Sequence, residues 1–121
     1  RGLDNPSMGP YAPPLPVSYC YGQVRTYDHG YVCSGDSCAG LMPSDMSWFY
    51  GSGQIMPEKK YPDICKPIDV PPSCSQSVYE NCMANKVGQT GQSHPYGLIT
   101  YNCISWAKDA ILQCQQEACR K

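Results

Sequence analysis

The chain is predicted to be a small α+β domain, in which an antiparallel sheet packs against helices and disulfides supply much of the rigidity. Three observations lead there. Residues 19–43, YCYGQVRTYDHGYVCSGDSCAGLMP, are rich in Tyr, Val and Thr and carry Gly35-Asp36 in their midst, which is the pattern of a hairpin. Two helical patterns follow, at 73–87 and 102–118. Nine cysteines in 121 residues is a density typical of an oxidising compartment.

Taken in order, residues 1–18 hold Pro6, Pro10, Pro13, Pro14 and Pro16, and are expected to form an extended arm, since proline fixes φ and removes a donor. In the strand region, a two-residue turn at Gly35-Asp36 sets Ser34 opposite Ser37 and Cys33 opposite Cys38. A non-hydrogen-bonded pair has Cα atoms about 4.5 Å apart, within disulfide reach, so Cys33–Cys38 is the expected cross-strand bond. Residues 44–72, broken by Pro and Gly, read as irregular, with Trp48, Phe49, Tyr50 and Tyr61 over a small core. Residues 73–87 read as a helix capped by Ser73 or Ser75 and stopped by Gly88, with Cys74, Val78 and Cys82 on one face. Residues 88–95 read as a loop, and YGLITY, 96–101, as a short strand. The last helix carries Cys103, Ala107, Ala110, Ile111 and Cys114 on one stripe.

Composition excludes several classes. Net charge is −1, charged residues make up 16%, and there is no run of Lys or Arg, which argues against a nucleic-acid or anionic-membrane surface. No apolar run reaches the roughly 20 residues of a membrane span. The first residues, RGLDNPSMGPY, lack the apolar stretch of a signal peptide, so a leader has been removed or the segment travels as part of a longer protein. The closest cysteine pairs are C-x₄-C, at Cys33/Cys38 and Cys114/Cys119, and His29 and His94 lie far apart. That spacing does not suit a structural zinc site. Neither metal nor cofactor is expected.

Nine cysteines cannot all pair within one chain, and the odd one is expected to be Cys103. It opens the last helix, where unpaired N–H groups and the helix dipole favour a thiolate and can receive an oxyanion. His29, in the predicted strand YDHGYVC, is the candidate base.

The segments HGYVCSGDSCAGLMP and YGLITYNCISWA resemble the circularly permuted branch of the NlpC-type papain-like hydrolases, the group that includes lecithin:retinol acyltransferase-like proteins. The second segment carries the likeness through Tyr96, Leu98, Asn102, Cys103, Trp106 and Ala107. The resemblance implies that residues 19–121 are one papain-like catalytic domain, with Cys103 as nucleophile and His29 as its base. That family often adds a second polar residue, commonly His, on the strand after the turn, but here the strand reads CAGLMP. The third member is therefore open among Tyr31, on the same strand face as His29, Asp45, just past the strand, and His94, ahead of the cysteine segment. Asp28 points to the opposite face. A dyad helped by a backbone carbonyl is a further possibility. The start, RGLDNPSMGPY, resembles the sequence after the autocleavage site of Rhs-repeat proteins, whose C-terminal tips are often toxins.

Together these resemblances imply an antibacterial toxin domain that is secreted or delivered into a target cell. It would cut an amide of peptidoglycan peptides in the periplasm and be countered by a cognate immunity protein. An acyltransferase or protein-modifying cysteine enzyme acting in the target cytosol is the enzymatic alternative. A secreted, disulfide-rich binding module is the non-catalytic one. Mass mapping of the non-reduced protein after iodoacetamide is expected to place the label on Cys103 alone. Label on another cysteine would overturn that assignment.

Overall fold

The hairpin forms where the Tyr/Val/Thr run predicts it. The computed structural model describes residues 16–24, 27–43, 50–97 and 101–120. In it β1 (Val17–Val24) and β2 (Tyr27–Ser34) pair antiparallel, and β2 returns through Gly35-Asp36 into β3 (Ser37–Pro43). Gly35 takes φ 61°, a conformation that glycine enters without steric cost. Ser34 stands opposite Ser37 and Cys33 opposite Cys38, the register expected from the sequence. The sheet begins at Val17, so the last two residues assigned to the arm belong to β1, and residues 1–15 lie outside the described residues.

The stretch read as irregular contains two strands. β4 (Tyr50–Glu58) pairs with β3 from Pro43↔Gly53 to Cys38↔Glu58, and β5 (Cys65–Pro67) follows a short 3₁₀ turn at Pro62–Ile64 and pairs with β1. Gly51, Gly53 and Pro57 hide β4 from a propensity reading, but tertiary pairing overrides them. At Gly53 the small residue is required. A Cβ there would stand 2.8 Å from the His94 carbonyl oxygen and 2.8 Å from Tyr96 Cβ. Pro57 lies past the part of β4 that its outer neighbour covers, where a missing donor is tolerated. That neighbour is β6 (Ser93–Gly97), which starts inside the expected loop. Gly97 and Tyr101 exchange backbone hydrogen bonds of 2.7 and 2.9 Å, and residues 98–100 are outside the described part. The sheet order is β5-β1-β2-β3-β4-β6, antiparallel throughout.

Both helices form. In α1 (Gln76–Val87) the Ser75 side chain accepts from the Val78 N–H, and Gly88 closes the helix through its N–H to Ala84 O. Its buried stripe is Tyr79, Met83 and Val87, one residue along from the expected one, and Val78 is exposed. The helix turns this stripe to the sheet and keeps Cys82 on the flank that faces α2 (Cys103–Ala118). α2 buries the predicted stripe together with Trp106 and Ala118. The main core lies between the helices and one sheet face, where Val17, Val32, Ala39, Leu41 and Ile55 meet Tyr79, Met83, Trp106 and Ile111. The other face carries a smaller cluster of Cys20, Tyr31, Cys33 and Cys38, flanked by Ile64 and Cys65.

Four disulfides staple the two layers separately. Cys20–Cys65 joins β1 to β5 and Cys33–Cys38 joins β2 to β3, while Cys74–Cys119 and Cys82–Cys114 join the helices. Cys103 is the cysteine outside these bonds. Loop-closure entropy makes the bonds unequal. Cys20–Cys65 spans 45 residues and Cys33–Cys38 only 5, so paired alanines are expected to cost about 4 kcal/mol at the first and about 2 kcal/mol at the second. Urea denaturation measures both losses, and equal losses would contradict the loop argument. Excess reductant is expected to lower the melting temperature by many degrees.

Candidate active site

The start of α2 is fixed by its own residues. Asn102 Oδ1 accepts from the N–H groups of Ile104 (3.0 Å) and Ser105 (3.1 Å), and Ser105 Oγ accepts from the Asn102 N–H at 3.3 Å. This capping box makes Cys103 the first helical residue, at the positive end of the dipole. The first turn then packs on β2 at Gly30. A Cβ on Gly30 would stand 3.2 Å from Ile104 Cγ1 and 2.8 Å from the Tyr19 hydroxyl. A side chain here would have to displace the Tyr19 hydroxyl and press against the first turn of the helix.

His29 precedes Gly30 and lies on the other face of β2, with Tyr31 and Cys33. Its ring extends over β3 at Gly40, where a Cβ would stand 3.5 Å from His29 Cε1 and 2.9 Å from Tyr31 Cβ. The β2–β3 ladder spans only Val32↔Ala39 to Ser34↔Ser37, so His29 and Gly30 lie beyond its end. There the imidazole from one face and the thiol from the other come together as an interacting pair, and the Gly30 and Ile104 N–H groups are directed at the sulfur. His29 Nδ1 is buried.

The third participant is Glu58, which the sequence reading did not find. His29 Nε2 donates to Glu58 Oε2 at 3.0 Å, leaving Nδ1 for the sulfur. Glu58 ends β4, opposite Cys38, and so lies on the face that holds His29. Sequence reasoning misses it because β4 reads as irregular; the polar Gln54 and Glu58, an even number of residues apart about apolar Ile55, are the available signal. Of the residues expected as third member, Tyr31 touches the His29 ring with centroids 5.4 Å apart, but its hydroxyl donates to Lys59 O at 2.7 Å. His94 lies on β6, separated from β2 by β3 and β4, stacks on Tyr101 and donates from Nδ1 to its neighbour Pro95 O. Asp45 is outside the described residues.

The site is closed and polarised. Cys103 is 3% exposed and His29 2%. A cavity of about 480 Å³ at the hairpin tip, between Ser37, Pro57 and the end of α1, reaches Glu58 but neither His29 nor Cys103. Burial alone would lower the His29 pKa. The hydrogen bonds to Cys103 and Glu58 and the charges of both outweigh burial and raise it to about 9. Burial would likewise raise the Cys103 pKa. His29, the Gly30 and Ile104 N–H groups and the His29 charge more than offset this and lower it. The Tyr19 hydroxyl is raised by burial and by the charge of the neighbouring Cys103. Both shifts favour the charge-separated form of the Cys103–His29 pair. Comparison with protein-family models, curated proteins and solved structures finds no match to this chain.

The pair should titrate in two steps that belong to both groups. Thiolate absorbance is expected to persist below the ordinary thiol range, because the imidazolium is present at every pH below about 9. Glu58→Gln removes the charge that holds the imidazolium proton and leaves at most a neutral amide acceptor, so the His29 step should fall and the thiolate step rise. Spectrophotometric titration of the two proteins tests this, and superimposable curves would mean that Glu58 does not act on the pair.

Proposed function

We propose that this chain is a cysteine hydrolase of the permuted NlpC type, acting as an antibacterial toxin domain on an amide bond of peptidoglycan peptides. One observation carries the reading: a helix-opening cysteine, outside four disulfides, facing a histidine whose far nitrogen is 3.0 Å from a carboxylate. In chain order the histidine strand precedes the cysteine helix, as in the permuted family.

Cys103 attacks the carbonyl carbon as a thiolate. The oxyanion forms beside the Cys103 backbone N–H, at a helix start where amides lie outside the i→i−4 ladder. His29 gives its proton to the leaving amine, leaving a thioester on Cys103. It then takes a proton from the water that hydrolyses the thioester. Glu58 holds the ring with Nδ1 toward the sulfur and stabilises the imidazolium. Since both reacting groups are buried, substrate must displace side chains over the sulfur, and the Tyr19 hydroxyl lies beside that approach. The four disulfides support an extracytoplasmic place of action. The likeness of the first residues to an Rhs tip supports delivery and a cognate immunity protein.

Cys103→Ser and His29→Gln are the informative variants. His29→Ala, which a surface strand position would tolerate, would open a hole beside the Glu58 carboxylate because His29 is buried. Each variant is expected to lose at least about 10³-fold of hydrolysis, and the double variant little more. The assay is expression in bacteria, with each protein directed to the periplasm or kept in the cytosol. Killing from the periplasm alone, with release of soluble muropeptides, supports the peptidoglycan amide. Killing from the cytosol alone moves the target to a lipid or protein there. Full toxicity of a folded Cys103→Ser protein ends the hydrolase reading in favour of a binding module.

A further inference from the structure

The sheet face away from the helices concentrates sulfur. Cys20, Cys33 and Cys65 sit on three adjacent strands, β1, β2 and β5, with sulfurs all within 4.8 Å of one another. Cys20 Sγ and Cys33 Sγ belong to different disulfides yet lie 3.6 Å apart. Cys38 is bonded to Cys33 from β3 and supplies a fourth sulfur beside the group, outside the 4.8 Å spread of the other three, so that it must swing inward once the bond is opened. Cys20 and Cys33 are fully buried and Cys38 nearly so. The two helix disulfides do not join this cluster.

A tetrahedral zinc with Zn–S bonds of about 2.3 Å needs sulfurs about 3.7 Å apart. The unbonded pair already has that separation. We propose that Cys20, Cys33, Cys38 and Cys65 form a four-thiolate zinc site when both sheet disulfides are reduced. A dithiol reductant supplies four electrons and four protons to open the two bonds. One Zn²⁺ then binds the four sulfurs as thiolates and releases four protons. Soft sulfur donors of this number and shape select zinc over magnesium or calcium. The consequence is structural. β5 is three residues long and, among the described residues, pairs only with β1, so reduction leaves it held by a few backbone bonds. Zinc would tie β5, β1, β2 and β3 together again. One chain could then keep this half of its sheet stapled in a reducing cytosol by metal and in an oxidising compartment by disulfides.

Reduced full-length protein titrated with Co²⁺ tests the site independently of any hydrolase activity. The expected result is one cobalt per chain, with a sulfur-to-cobalt charge-transfer band and tetrahedral d–d bands, both displaced by Zn²⁺. Alkylation of the zinc-loaded protein should spare Cys20, Cys33, Cys38 and Cys65 relative to the same reduced protein without metal, and label the half-buried Cys74, Cys82 and Cys119 equally in both. Cys33→Ser should lose the tetrathiolate spectrum, whereas Cys82→Ser/Cys114→Ser should keep it. Titration from the start in the presence of metal covers a reduced chain that folds only when metal binds. The absence of a charge-transfer band, its survival in Cys33→Ser, or protection of the helix cysteines instead would each overturn the proposal.

Discussion

Strand register at one turn organises both halves of this molecule. Gly35-Asp36 sets Cys33 against Cys38, and everything on that sheet face follows by twos and by pairs. Four residues back along β2, His29 falls on the same face as Cys33. One strand over, Glu58 falls opposite Cys38. The histidine and its carboxylate, 29 residues apart in sequence, meet because two ladders share β3. A slip of one residue in either ladder would send one of them to the opposite face. The Cys33–Cys38 bond locks the first ladder covalently, so the disulfide that contributes least by loop entropy guards the geometry of the site.

Holding the buried Cys103–His29 pair in charged form, with the partly buried Glu58 carboxylate beside it, is costly, since each ion loses hydration. Here the cost is offset locally. The sulfur receives the Gly30 and Ile104 N–H groups and the helix dipole, and the imidazolium is flanked by both anions. An apolar trio of similar volume is often no less stable than such a buried network. Stability alone is therefore a poor reason for this chain to hold three ionisable groups together at the end of a ladder. The glycines agree. Gly30 and Gly40 sit where a Cβ would strike the Tyr19 hydroxyl, Ile104 or Tyr31, and in each case the contact preserved is one that places Cys103 or His29.

Much of this could be read from the sequence wherever the signal is local. The turn, both helices, the Ser75 and Gly88 boundaries, the Cys33–Cys38 bond and the odd Cys103 all follow from residues within a few positions of one another. β4, β5 and β6 do not. Gly51, Gly53 and Pro57 weaken β4, and its strand character exists only because β3 and β6 flank it. Glu58 was lost with it, since an acid at the end of an unrecognised strand carries no mark of its partner. The face that carries Cys74, Val78 and Cys82 is not the one α1 turns to the sheet, because Cys82 faces the other helix and is bonded to it.

The same architecture explains how one thiol can survive the oxidation that makes four disulfides. Cys103 shares its helix stripe with Cys114, but eleven residues of helix separate the two by about 16 Å. That is far beyond disulfide reach, and Cys114 is already bonded to Cys82 across the helix pair. The sulfurs of the sheet lie in a separate cluster on the face turned away from the helices. Closing the site around Cys103 adds a second protection, since a buried thiolate is shielded from other chains as well as from bulky oxidants. The low exposure of Cys103 thus also keeps its sulfur reduced while the scaffold around it is oxidised.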